Sequence, residues 1–289
     1  MLGEAVDRSV GAIHVDEAAL ASEAAGAGGV HVALLAGRSV DAWYRAIESA
    51  GPSSPGRSYL IGVDETVRGG AATAPPDAGD RQIVVGSVEA PLSDPVGYLE
   101  TALSEADGGS GGGGTVVVDD IGALVPDGTG VDSVVEGLVD AAAAAGFRFH
   151  TAAATNGDAA LSALSRRLPT ADDEADRALT ERLIAHLRSS DPTNFGYLRN
   201  HWREARRGLT AVEMTYPQSK QIHACIPDPE TTPRTLGAAL QGLVTLGALD
   251  VWGDTVGANR YDLTRYDAAR IDTIGSSLES IAVEDESPR

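Results

Sequence analysis

Between residues 30 and 168, short apolar runs alternate with segments of helical period. This alternation restricts the chain to one class of fold. The runs are Val30–Leu35, Tyr59–Val63, Gln82–Val85, Thr115–Val118 and Phe147–Ala152. Ser39 stands where it can cap a helix whose apolar positions Val40, Trp43, Tyr44 and Ile47 recur at helical spacing. Further helices are predicted over Asp94–Ala106, Val131–Ala145, closed by Gly146, and Asp158–Leu168. The stretches Gly69–Gly79 and Gly108–Gly114 read as loops. Short strands alternating with helices predict βαβ units: an α/β domain with an open, mostly parallel sheet, helices on both faces, of a degenerate RecA- or Rossmann-like kind.

Pro169 and the acidic run Asp172–Asp176 mark the end of that pattern. The expected organisation is an Ala- and Glu-rich segment over 1–28 (a loose helix and a linker), a sensing or dimerisation domain over 29–170, a winged helix-turn-helix domain over 177–270, and an acidic tail over 271–289. Thr180–Leu187 is amphipathic. A second helix over Phe195–Leu209 has Phe195, Leu198, Trp202 and Ala205 on one side and Arg199, Arg203, Arg206 and Arg207 on the other. Gln218–Ile226 reads as a short helix and Pro227-Asp228-Pro229 as a turn. Thr232 caps the next helix with Pro233 at its first position, where the missing N–H is harmless. Leu236, Ala239, Leu240, Leu243 and Leu246 form the buried stripe, and Gly247 stops the helix. Leu249–Trp252 and Arg260–Leu263 read as two strands around the Gly253–Asn259 loop.

Helix, turn, helix and hairpin is the winged arrangement, in which the second helix enters the major groove of duplex DNA and the wing lies along the backbone or minor groove. Residues 233–246 contain no acid. Arg234, Ala238, Gln241 and Thr245 stand opposite the leucines, and Arg and Gln suit guanine and adenine edges. The candidate DNA-binding residues are these four with Ser219, Lys220, Gln221, Thr232, Thr235, Asn259 and Arg260. One such module reads few base pairs, so a homodimer is expected, through the first domain or the Phe195–Leu209 helix.

Charge distribution agrees with this placement. The chain carries 22 basic and 42 acidic residues, a net of −20, and Lys220 is its one lysine. Residues 190–270 hold nine acids and nine bases, so they are neutral between acidic flanks. Extreme acidity with almost no lysine suits a cytosol at molar salt, where the Debye length is about 3 Å; an acidic surface for a basic partner is the other reading. The single cysteine, Cys225, excludes an internal disulfide and paired-cysteine zinc sites. No run of about 18 apolar residues and no signal-peptide pattern is found. A cytoplasmic protein with no membrane partner is expected.

The strand VVVDD, ending at Asp119-Asp120, is similar to the magnesium-holding strand of RecA-like ATPases. Its required partner, a glycine-rich loop ending in Gly-Lys-Ser/Thr after the first strand, is missing: that strand runs into Gly37-Arg38-Ser39. No catalytic residue, metal site or cofactor is assigned, and no enzyme activity is expected. The Gly37-Arg38-Ser39 turn still opens a helix, whose free N–H groups attract anions. Those three residues are a candidate anion site, with plain capping as the alternative. His31 and His150 read as packed histidines.

The stretches DPTNFGYLRNHWREARRGL and TTPRTLGAALQGLVTLGALDVWGDTVGANRYDL, with the single-lysine acidic composition, resemble a haloarchaeal family of TbsP-like transcriptional regulators. The resemblance covers the C-terminal third closely and the rest loosely. It implies a cytoplasmic DNA-binding regulator, in that family linked to control of central sugar metabolism. A small-molecule effector, sensed by the first domain, is a further candidate partner. A scaffold or nucleotide-sensing protein whose winged domain binds protein is the alternative.

Twenty excess negative charges repel one another in dilute buffer. Thermal melts across a salt series should therefore rise steeply with salt; a flat series would refute salt adaptation.

Overall fold

The computed structural model describes residues 10–26, 29–51, 56–64, 82–89, 92–107, 113–126, 128–252, 259–264 and 266–286. The expected loops at 69–79 and 108–112, and most of that at 253–259, lie outside them. The chain divides into two compact units, one within residues 7–176 and one from residue 177 onward.

The first unit is α/β. Its six strands are β1 (Gly11–His14), β2 (Val30–Leu35), β3 (Arg57–Asp64), β4 (Gln82–Glu89), β5 (Gly114–Val118) and β6 (Phe147–Ala152). All pair in parallel, in the order β1-β6-β5-β2-β3-β4. The helices are α1 (Glu17–Gly26), α2 (Val40–Ala50), α3 (Pro95–Asp107), α4 (Val131–Ala144) and α5 (Asp158–Ser165). β2 lies inside the sheet and is buried along its whole length, which is why its sequence is apolar throughout rather than alternating.

Side chains alternate between the two faces. Ala33, Leu35, Leu60, Val117 and Ala152 point to one face and pack under α1 and α2, with Leu20, Ala24, Trp43 and Ile47. Val32, Leu34, Val116, Val118 and Phe149 are buried on the other, where α3 and α4 pack so closely that a Cβ at Gly137 would lie 2.6 Å from Val96.

Residues 1–28 were expected to be a loose helix and linker, but β1 and α1 belong to the sheet domain. β1 pairs with β6, and its outer side is closed by residues 169–171: Ile13 donates to Pro169 O at 2.8 Å and Ala171 donates to Ile13 O at 2.8 Å. Four strand residues, Gly-Ala-Ile-His, are too few to show a period.

Three histidines lie in this sheet. Trp43 Nε1 donates to His31 Nε2 at 3.2 Å, and His14 Nε2 and His150 Nδ1 share a hydrogen bond of 3.0 Å between β1 and β6. Burial pushes His31 down to about 4 and His150 to about 3, the latter helped by the neighbouring His14. Burial also lowers His14, against the opposing pull of Glu23 and Asp172.

The second unit is helical with one small sheet. Its elements are α6 (Asp173–Ser190), α7 (Pro192–Ala211), α8 (Ser219–Ala224), α9 (Pro233–Thr245), β7 (Asp250–Val251), β8 (Tyr261–Asp262) and α10 (Ala268–Glu286). The first unit ends at Asp176, at the acidic run expected to mark the boundary, and Asp173, Glu174 and Asp176 of that run also form the first turn of α6, where the helix dipole favours negative charge. The expected acidic tail is helical, and Ile271, Ile274 and Leu278 are buried at i, i+3 and i+7. The acids at its end masked that short stripe. Among the described residues no helix is long and apolar enough to cross a membrane.

Above pH 6.5 the three histidines are neutral in both the folded and unfolded chain and contribute nothing to the pH dependence. Below it the unfolded chain takes up protons that the folded sheet refuses. Stability should therefore fall between pH 6.5 and about 4, by about 1.4 kcal/mol per pH unit for each histidine held neutral. Urea melts of the wild type and His150→Gln between pH 7 and 4.5 check this: the variant should lose one such increment of slope, and equal slopes would refute it.

Candidate nucleic-acid interface

α7 is the platform of the second unit, and glycine lets its neighbours approach. A Cβ at Gly208 would lie 2.7 Å from Ile222 Cγ2 and 3.0 Å from Ile226 Cδ1, so α8 sits directly on the α7 backbone. A Cβ at Gly242 would lie 3.0 Å from Leu198, so α9 crosses α7 equally closely. α9 buries Leu236, Ala239, Leu240 and Leu243 completely. Thr232 caps it by accepting from Thr235 N at 3.2 Å, with Pro233 in the first turn, and Gly247 ends it with φ +70°. That conformation favours glycine.

The turn into α9 is held by a residue the sequence reading did not single out. Glu204 on α7 is only 4 % exposed. Its Oε1 accepts from Glu230 N (3.1 Å), Thr231 N (3.3 Å) and Thr231 Oγ1 (3.0 Å). His223 Nε2 meets Thr231 O at 2.7 Å from the other side. The signal in the sequence is slight: Glu204 lies one helical turn before Gly208, the point of closest approach to α8.

The small sheet has the two strands expected, β7 paired with β8, and residues 215–218 run antiparallel along the other side of β8 through one isolated bridge, Gln218 to Arg260. Tyr261 N donates to Pro217 O at 2.9 Å, and Leu263 N donates to Thr215 O at 3.0 Å. Tyr261 fixes this sheet to α9 by donating from its buried hydroxyl to Gly237 O at 3.3 Å; burial raises its pKa to about 12.

The predicted contact residues fall into two groups. Thr232 and Thr235 bond to each other at the cap of α9. Gln221 completes a capping box with Gln218 and donates to Met214 Sδ. Ser219 is packed against Gly237, and Thr245 Oγ1 donates to Gln241 O. These side chains shape the unit. Lys220, Arg234, Asn259 and Arg260 are exposed, and Ala238 and Gln241 are half-buried on the outer side of α9. Asn259 Nδ2 donates to Gln241 Oε1 at 3.1 Å, joining the hairpin to that side. Arg260 Nη1 donates to Tyr216 O, and Tyr216 lies against Trp252, which is 46 % exposed.

Charge pairing is uneven. Arg38, Arg45, Arg148, Arg166, Arg167, Arg203 and Arg206 each face a carboxylate. Among the described residues Lys220, Arg234 and Arg260 face none, and neither do Arg57, Arg177 and Arg207. Arg203 and Arg206 pair with Glu279 and Asp272 of α10, whose Gly275 lies against the Trp202 ring. α7, one of the two expected dimer interfaces, therefore carries α10 of its own chain at Trp202, Arg203 and Arg206.

The candidate anion site of the first unit is arranged differently from its expectation. The winding of the sheet reverses at β2, and the crevice beyond β2 and β5 is where such sheets take ligands. Here Asp119 fills it. Asp119 Oδ1 accepts from Ala36 N (2.7 Å) and Asp120 N (2.8 Å), and Oδ2 from Gly37 N (3.0 Å) and Arg38 Nε (3.3 Å). Burial raises its pKa, opposed by these N–H groups and the Arg38 charge. Ser39 accepts from Ala42 N as a plain cap. The donors offered by Gly37 and Arg38 are thus answered by the chain's own carboxylate. Arg38 also pairs with Glu17 and lies over Trp43 at 5.1 Å.

Asp119→Ala should unfold about 3 kcal/mol more easily, because three backbone donors and Arg38 lose their acceptor. Sulfate should restore part of this relative to chloride at equal ionic strength. Equal sulfate protection of the wild type would show that the crevice still takes an outside anion.

Compared with protein-family models, curated proteins and solved structures, the chain finds no match in any of the three, so the resemblance drawn from its sequence rests on the quoted stretches and the single-lysine acidic composition.

Proposed function

We propose that the second unit is a winged helix-turn-helix domain that binds duplex DNA, and that the protein is a transcriptional regulator acting as a homodimer. In this reading α8 and α9 are the helix-turn-helix, α9 is the recognition helix, and β7, β8 and residues 215–218 form the wing sheet. The observation that carries it is the set of unpaired cations. In a chain of net charge −20, Lys220 on α8, Arg234 on α9 and Arg260 beside the wing have no carboxylate partner among the described residues. An acidic chain that leaves these three cations, with Arg177 of α6 and Arg207 of α7, unmatched on one small unit is suited to a polyanion.

The roles divide by position. Arg234 and Gln241 face outward from α9 and suit base edges. Lys220 and Arg260 suit phosphates, which fix register without reading sequence. Asn259 holds the Gln241 carbonyl oxygen, so it orients the amide before DNA arrives.

The test is a fluorescence anisotropy titration of the full chain with duplexes selected from a random pool. Arg234→Ala should lose about 1–3 kcal/mol on the selected sequence and relax base preference at one position. Arg260→Ala should weaken all duplexes alike and lower the salt slope by about one. Selection of no duplex, or unchanged affinity in both variants, would overturn the proposal.

A further inference from the structure

The two edges of the six-stranded sheet are finished differently. The β1 edge is covered by residues 169–171, which exchange backbone hydrogen bonds with Ile13. The β4 edge is eight residues long, and among the described residues its outer side has no backbone partner. None of Gln82 to Glu89 is fully buried, and Val84 is 42 % exposed.

Edges of this kind are normally blunted by lysine, proline, a bulge or an inward-pointing charge. Gln82-Ile-Val-Val-Gly-Ser-Val-Glu89 has none of these: its one charge is at the end, and Ile83, Val84, Val85 and Val88 are apolar. Gln82 N donates to Gly56 O, on the β3 side. Backbone groups alternate along a strand, so the N–H groups of Val84, Gly86 and Val88 also point to β3. Those of Ile83, Val85, Ser87 and Glu89 point outward.

We infer that β4 is the homodimer interface, pairing antiparallel with β4 of a second copy about a two-fold axis through Gly86. The occupant is argued from the strand itself, which is self-complementary in this register. Val85 and Ser87 exchange backbone hydrogen bonds with Ser87 and Val85 of the second copy. Val84 meets Val88 on one face. Gly86 meets Gly86, where the absence of side chains admits close approach. Ile83 is set opposite Glu89, so no two carboxylates face each other. The axis is perpendicular to the sheet, so each face continues as the same face and the result is one twelve-stranded sheet. This interface supplies the second copy that the proposed DNA-binding function uses, and in its placement rests on that reading only for its purpose.

The geometry gives a register-specific test. A Cβ added at Gly86 meets nothing closer than Ile61 Cγ1 at 3.8 Å, so cysteine fits there. Residues facing each other in a non-hydrogen-bonded antiparallel pair have Cα atoms about 4.5 Å apart, within disulfide range. Full-length Gly86→Cys, with Cys225→Ser, should form a covalent dimer on mild oxidation, seen on a non-reducing gel. Light scattering of the wild type in molar salt should give twice 29.7 kDa. Val85→Pro removes an outward N–H and leaves the β3 pairing intact, and should weaken the dimer roughly 100-fold. Val84→Lys, which alters no backbone group, should do so as well and serves if the proline variant fails to fold. A wild-type particle of 29.7 kDa, or a dimer that neither crosslinks at Gly86 nor responds to Val84→Lys, would overturn the inference. DNA titration separates the two readings: a monomer that binds duplex DNA sinks this interface and the homodimer but leaves the DNA-binding reading standing, and a crosslinked dimer that binds none sinks the DNA-binding reading alone.

Discussion

The first unit turns on one buried carboxylate. A parallel sheet that reverses its winding leaves a crevice beyond two strand ends, with backbone N–H groups directed into it and no strand to answer them. Asp119 answers them at full burial, with four donors on its two oxygens. The loop after β5 is fixed from beneath by Asn156, which donates to Asp119 O, Thr151 Oγ1 and Ala152 O and accepts from Ile121 N. Thr151 Oγ1 in turn donates to Val118 O at 2.6 Å. The ends of β2, β5 and β6 are thereby one hydrogen-bonded body. A site that in other α/β sheets stays open for a ligand is here part of the core.

The second unit repeats the device with a different purpose. Glu204 is also a buried acid whose oxygen accepts backbone N–H groups, and it too fixes a loop against a helix. The loop is the one that enters α9, so its position sets where the first turn of α9, with Arg234, is presented. Tight helix contacts at Gly208 and Gly242 remove slack on the opposite side. Tyr261 ties the small sheet to the middle of α9. An outward-facing helix held at its start, middle and back is a rigid element, and rigid presentation is what a surface that reads a partner by side-chain geometry needs.

Much of this was legible in sequence wherever one physical rule acted alone. The strand and helix alternation, the Ser39 and Thr232 caps and the Gly247 stop each follow from local chemistry, and the structure places them as read. What escaped depended on contacts distant in the chain. β1 is four residues long and becomes a strand because β6 lies beside it. α10 hides three buried apolar residues among acids. Residues 215–218 contain a proline and carry no strand period; their pairing with β8 exists because the chain returns some 45 residues later. Gln221 was read as a DNA contact, and only the folded backbone shows that its side chain also turns back to accept from Gln218 N. Glu204 and Asp119 were visible as acids, but their partners lie 26 and about 82 residues away.

The charge pattern bears on why these residue types were kept. A net of −20 repels DNA at long range, so any attraction has to act within a few ångströms of the phosphate. Short-range contact favours arginine, whose planar fork gives directional bonds that survive screening better than a point charge. The chain uses arginine at 21 of its 22 basic positions. Several of those forks are spent on the protein's own carboxylates, as Arg206 is on both oxygens of Asp272 at 3.1 and 3.3 Å. Arg234 and Arg260 are the same chemical group without that internal partner. Under the proposed function, the residue that neutralises the acidic surface internally is also the one that contacts nucleic acid, and which task each arginine performs is decided by whether the fold places a carboxylate in front of it.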